Sequence, residues 1–153
     1  MSSLELKLPP LPLAAAMGAL MWAIDRWLPV QGSRSASQTT AAVALFGIAI
    51  SITTVAVLGF RAARTTVNPT TPEAATSIVI TGIYRLSRNP MYLGFLLALV
   101  ALAIFLGNFL SALGPLLFVA YMNRFQIAPE ERALRARFGQ PYEAYLRSVR
   151  RWL

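Results

Sequence analysis

The residues with chemical capacity crowd into two short stretches. The first is residues 82–94, where Tyr84, Arg85, Arg88, Asn89 and Tyr92 stand at the mouth of an apolar run with no charge until Arg124. Asn89 is biased away from helix by Pro90, and proline suits a first helical turn, so a helix is expected to start at this corner. Its unpaired N–H groups and positive end would face the aqueous side of a membrane and suit a polar ligand. The same residues also fit a plain membrane anchor: arginines snorkel, tyrosine sits in the interfacial belt and proline opens the helix. The second stretch is residues 124–131, in which Pro129-Glu130-Glu131 reads as a helix start with acids where the helix dipole favours them. The chain contains neither histidine nor cysteine. That removes the commonest general base, the commonest transition-metal ligand and all thiol chemistry, and no metal is expected. Any catalysis must come from Arg, Glu, Tyr, Asn and backbone groups.

The elements that must position these residues are apolar. Over 153 residues, 56% are hydrophobic and 13% charged, which implies one domain embedded in a membrane. The expected fold is all-α and polytopic, with about four transmembrane helices at residues 11–30, 41–60, 91–106 and 109–125. Trp22 and Trp27 are placed as interfacial anchors of the first span. A cleaved signal peptide is disfavoured there, because the run is long and no small-x-small cleavage site follows. Residues 31–40 read as a flexible Gly/Ser/Thr/Gln loop. Small-xxx-small pairs, Ala14 with Gly18 and Gly47 with Ser51, would let helices approach closely in lipid. Residues 61–90 form a connection too long for a plain turn. It opens on Arg61 and Arg64, has rigid corners at Asn68-Pro69 and Thr71-Pro72, and carries a short extended piece at 77–80. A helix over 91–122 would outrun the bilayer, so a hairpin turning at Gly107-Asn108 is expected, with Pro115 kinking its second arm. Past Gly139, Tyr142, Tyr145, Val149 and Trp152 recur at helical spacing, the pattern of an amphipathic helix on an anionic membrane surface.

Four spans put the amino terminus, residues 61–90 and residues 124–153 on one side. Twelve of the fourteen cations fall there, leaving only Arg26 and Arg34 opposite, so that side is cytoplasmic by the positive-inside rule. The net charge of +8 is thereby explained by membrane orientation, and no nucleic-acid partner is expected. The hairpin brings the two chemical stretches together at the cytoplasmic face. A site there would see lipid laterally and cytosol from below, which suits an enzyme joining a soluble cofactor to a membrane-dissolved substrate.

Four motifs in order, Ile78-Val79-x-x-Gly82-Ile83-Tyr84, Arg88-Asn89-Pro90-x-Tyr92-x-Gly94, Glu130-Glu131-x-x-Leu134 and Phe138-Gly139-x-x-Tyr142-x-x-Tyr145, resemble the isoprenylcysteine carboxyl methyltransferase superfamily, which includes phospholipid N-methyltransferases. The resemblance covers roughly residues 60–152. It implies a small prokaryotic-type membrane enzyme with S-adenosyl-L-methionine bound in a cytosolic pocket capped by the carboxy-terminal segment, residues 61–90 and 124–153 forming the cofactor region. By the same resemblance Thr76, Ser77, Ile78, Val79, Tyr84, Arg88, Asn89, Pro90, Met91, Tyr92 and Glu130 would surround the cofactor. Arg124 and Glu130 would be the catalytic pair.

Methyl transfer also fits the missing histidine. A carboxylate acceptor is already a nucleophile, so positioning and exclusion of water matter more than a base. An amine acceptor would need Glu130, Glu131, Tyr92 or water to take a proton. The sequence departs from the superfamily at Asn89, where histidine is frequent, and at Gln126, where the carboxyl-methylating branch has an arginine. Arg124 would have to stand in for that arginine, although it lies about 200° away on an ideal helix. The expected reaction is O-methylation of a lipid-like carboxylate. N-methylation of a lipid amine is the alternative, and a non-catalytic membrane scaffold the third reading. The sterol-reductase relatives, which use NADPH, need a larger bundle than this chain supplies.

Overall fold

A computed structural model describes residues 5–29, 34–63, 71–72 and 75–153, and among these residues every regular element is helical. Arg64, Asn68-Pro69 and residues 31–33 lie outside the described residues. The first helix, α1 (Pro10–Trp27), opens on a proline whose missing N–H would be unpaired there anyway. The second, α2 (Ala36–Ala62), starts earlier than its apolar run. Ser35 is the reason: its Oγ accepts the Gln38 N–H at 3.1 Å, a cap worth about 1 kcal/mol. The Gln38 side chain then donates to the Ile104 carbonyl of α3 (Pro90–Leu106) at 2.6 Å. Among the described residues α2 is the one helix long and apolar enough to cross a membrane, and α3 is a shorter apolar helix.

The α2–α3 contact is built on small side chains. α2 buries Ala42, Ala49 and Ala56, a seven-residue repeat that keeps one face against its neighbour. Gly94 of α3 meets that face, and a Cβ there would collide with the Thr53 hydroxyl and sit 2.9 Å from the Ala49 carbonyl oxygen. Gly47 and Ser51, expected to mediate such an approach, point elsewhere. Open space surrounds Gly47, and the Ser51 hydroxyl folds back onto the Gly47 carbonyl at 2.9 Å.

The chain reverses at Gly107, whose φ of +66° is the left-handed cap that glycine adopts without strain. Asn108 fixes the turn. Its Oδ1 accepts the Leu110 N–H at 3.0 Å, and its Nδ2 donates to the Leu28 carbonyl at 2.9 Å, tying the hairpin to the end of α1. After a 3₁₀ turn, α4 (Leu113–Tyr121) runs back. Pro115 does not kink this arm: it lies in the first turn of α4, where proline removes no helical bond. The irregularity comes later, in a π-helical turn at Met122–Ile127 that leads straight into α5 (Ala128–Phe138). Pro129 is therefore a change of register inside a continuous helix and does not begin a new one. Lacking an N–H, it leaves the Phe125 carbonyl free, and that carbonyl accepts the Leu6 N–H at 3.0 Å.

Gly139 ends α5, and α6 (Gln140–Ser148) follows. The amphipathic stripe of α6 is turned into the protein. Tyr142 and Tyr145 are buried against the other helices, so that face is not left for a membrane surface. Beyond α6 the chain extends at Val149 and folds back onto the corner before α3.

Candidate active site

Beneath α6 lies a cavity of about 120 Å³ with four walls. Pro90, Met91 and Tyr92 in the first turn of α3 form one, and Glu130, Glu131 and Leu134 of α5 face them. Tyr142 and Tyr145 of α6 form the third. Residues 77–79 and Tyr84, which sits in a 3₁₀ turn at Gly82–Arg85, form the fourth. Of the residues the resemblance put around a cofactor, Ser77, Ile78, Val79, Tyr84, Arg88, Asn89, Pro90, Met91, Tyr92 and Glu130 line this cavity. Thr76 is exposed and forms no wall. Arg124 lies outside the cavity: its side chain is 62% exposed, 3.7 Å from Glu5, with the guanidinium over the Phe125 ring.

Two neighbouring carboxyl groups have opposite surroundings. Among the described residues Glu130 meets no cation. Its Oε1 accepts the Tyr92 hydroxyl at 2.5 Å and the Gln126 amide at 2.5 Å. Burial pushes its pKa up to about 7, and the nearby Glu131 adds to the rise, against the lowering effect of those two hydrogen bonds. Glu131 is wrapped in charge. Arg88 approaches Oε1 at 3.0 Å, while Arg151 grips both oxygens, Nε to Oε1 at 3.2 Å and Nη2 to Oε2 at 2.6 Å. Such a fork gives directional as well as electrostatic hold.

The tyrosines are neutral donors. Tyr145 donates its hydroxyl to the Tyr84 carbonyl at 2.7 Å, and burial pushes its pKa up to about 12, with Arg88 opposing. Tyr84 donates to the Ala56 carbonyl at 3.2 Å and packs edge-on against Phe60. Burial raises the Tyr84 and Tyr142 pKa values above the ordinary phenol range.

The carboxy-terminal tail closes the site. Arg88 N–H donates to the Arg150 carbonyl at 3.0 Å, and the Asn89 amide donates to the Arg151 carbonyl at 2.9 Å. The Trp152 indole donates to Asn123 Oδ1 at 3.1 Å. Asn89 therefore acts on the tail and caps nothing: it sits at the N-cap of α3 without a side-chain cap bond. Arg88 also gives Nη1 to the Leu146 carbonyl at 3.2 Å, tying the corner to α6 as well.

Glu131, Tyr142 and Tyr145 also line the cavity and Arg151 holds Glu131, whereas sequence reasoning assigned these four a weaker or different role. The four-residue spacing of Gln126 and Glu130 signals that pair, and the three-residue spacing of Tyr142 and Tyr145 signals a shared face. Nothing local marks Arg151, because its role depends on a tail that doubles back. Among the described residues no cluster of metal-binding side chains occurs.

The profile of the phospholipid methyltransferase family matches residues 37–141. An uncharacterized protein of Haemophilus influenzae is 49% identical over 63 residues, which is 41% of this chain and all of that relative. No solved structure matches. The family match covers the hairpin, the corner at 87–92 and both carboxyl groups, and the chain belongs to the phospholipid methyltransferase family.

Proposed function

We propose that this chain transfers a methyl group from S-adenosyl-L-methionine to the amine of a membrane-dissolved lipid. The observation that carries this reading is Glu130, a carboxyl removed from water and held near neutrality at the wall of the cavity. An ammonium must lose a proton before its nitrogen lone pair can attack, and in a chain without histidine Glu130 is suited to take it. When bound, the cofactor supplies a methyl group on a positively charged sulfur that departs as a neutral thioether. The chemistry of the lining suits such a ligand: neutral tyrosine faces accept an adenine or a cation, and the buried carboxyl complements positive charge. At about 120 Å³ the cavity is smaller than the ~300–1,000 Å³ of most small-molecule sites, so admission of the ligand requires α6 and the tail to shift outward.

A carboxylate acceptor needs a cation to hold it rather than a base. Arg124 is turned away to Glu5, Gln126 donates to Glu130, and Arg88 is engaged by Glu131 and the Leu146 carbonyl. The amine reading is therefore better supported. Purified protein given a labelled methyl donor should methylate vesicles containing an amine-headgroup phospholipid and leave a prenylated thiol-acid unlabelled. Labelling of the acid alone would reverse the assignment.

In this reading α1 to α4 all cross the bilayer, with the cavity on the cytoplasmic side and Arg34–Asp25 on the other. The contact of Leu6 with Phe125 supports it by putting the amino-terminal segment and the start of α5 on one face. Because the chain has no cysteine, single cysteines report topology directly. Positions 76 and 153 should react only from the cytoplasm, and 35 and 109 only from outside. Reaction of 76 and 109 from the same side would refute the four-span arrangement.

A further inference from the structure

Glu130 and Glu131 bring four carboxylate oxygens to the cavity wall, and three of them are committed. Both oxygens of Glu131 are held by arginine: Arg88 and Arg151 share Oε1, and Arg151 takes Oε2 at 2.6 Å. On Glu130 two neutral donors converge on a single oxygen. The Tyr92 hydroxyl and the Gln126 amide each reach Oε1 at 2.5 Å, and among the described residues no donor reaches Oε2. The two donors differ in place. Tyr92 stands in the first turn of α3 and is itself a wall of the cavity. Gln126 is fully buried, one helical turn before Glu130, and lies off the cavity lining. An amide nitrogen donates and cannot accept, and a carboxyl oxygen has two lone pairs. With both lone pairs of Oε1 taken, the neutral acid must carry its proton on Oε2.

We propose that Gln126 is a positioning residue which, together with Tyr92, occupies Oε1 of Glu130 and so makes Oε2 the atom that takes the proton from a lipid ammonium. In that step an N–H bond of the ammonium breaks, an O–H bond forms at Oε2, and the electron pair stays on nitrogen. The acceptor must therefore bring a nitrogen that still carries a proton within hydrogen-bond reach of Oε2. The groups facing Glu130 are Tyr92 from α3, Gln126 and Glu131 from its own helix, and Tyr142 from α6. The cations beyond them, Arg88 and Arg151, are engaged by Glu131. Both hydrogen bonds to Oε1 favour the ionised carboxylate, so removing either must raise the pH at which Glu130 gives up its proton.

The catalytic meaning of this arrangement rests on Glu130 being the base proposed above, but the place of its proton is a property of the ligand-free protein and is tested there. The protonated Glu130 carboxyl is followed by infrared spectroscopy in purified protein, its C=O band identified by subtraction of the Glu130→Gln spectrum. Gln126→Met keeps the bulk and removes the donor; Tyr92→Phe does the same on the other side. Each should raise the Glu130 midpoint by about one pH unit. Each should also move the C=O band to higher frequency, because Oε1 is the carbonyl oxygen of the neutral acid and loses a hydrogen bond. With an amine-headgroup phospholipid as acceptor, a midpoint raised from about 7 to about 8 in Gln126→Met should lower kcat roughly fivefold at pH 7 and hardly at pH 9, with KM unchanged. Unmoved midpoints in both variants, or a C=O band that stays in place while the midpoint rises, would overturn the proposal. So would an equal loss of kcat at both pH values. Failure of the methyltransferase reading shows separately, as wild-type protein that binds no S-adenosylhomocysteine while band and midpoint still move.

Discussion

Glu130→Gln should lower methyl transfer to an amine acceptor by about 10²–10⁴-fold, the range a positioned general base contributes. In the wild type the base must be ionised to accept a proton. Activity should therefore rise with pH up to a midpoint near 7, the value burial gives this carboxyl, and that limb should vanish in the variant. Stability moves in the opposite sense. The fold raises the Glu130 pKa from 4.5 to about 7, so its stabilising contribution is complete below 4.5 and is lost as pH rises through about 7. Glutamine resembles the protonated acid. The variant should match the wild type at pH 3.5 and exceed it at pH 8.5 by on the order of 3 kcal/mol. A pH–rate profile of kcat/KM and melting curves at the two pH values check both halves. A variant with wild-type activity and the same limb would remove Glu130 from the chemistry.

The second large effect belongs to the other carboxyl. Glu131→Gln leaves Arg88, 13% exposed, facing Arg151 without a counter-charge. Breaking a buried ion pair from one side costs about 3–5 kcal/mol, and the lower figure applies here because Arg151 is a third exposed. The tail should detach as a unit, since its backbone bonds to Arg88 and Asn89 depend on Arg151 being seated. The expected result is a lower melting temperature together with rapid trypsin cleavage at Arg147, Arg150 and Arg151 in protein that is otherwise folded. An unchanged melt and unchanged cleavage would mean that the tail is held by its backbone bonds alone.

The corner at 87–92 was legible in the sequence because proline punctuates the chain and charge stands out against apolar surroundings. The reversal at Gly107-Asn108 was legible for the related reason that a glycine and a side-chain acceptor interrupt an apolar run. Where α2 begins was legible only by a finer rule. Ser35 and Gln38 have the capping spacing, but the polar loop around them hides it. The site's second half was not legible, because its causes are distant in sequence. Pro129 reads as a helix start until Leu6 is found on the Phe125 carbonyl. By contrast, the outward Arg124 and the inward Gln126 were legible, since residues two apart on a helix lie about 200° from each other. The tyrosines of α6 look like a membrane-facing stripe until the cavity they cover is seen. Arg151 looks like one more cytoplasmic charge until its fork meets Glu131.

The cavity is the proposed cofactor site, and calorimetric titration of S-adenosylhomocysteine into purified protein tests that most directly. Wild-type protein should bind it, and so should Glu143→Gln, whose carboxylate is paired with Arg135 at the surface. Tyr92→Ala, which removes a cavity wall and the hydroxyl bonded to Glu130, should bind roughly tenfold to a hundredfold more weakly. Absence of binding in the wild type, or wild-type affinity in Tyr92→Ala, would contradict the account.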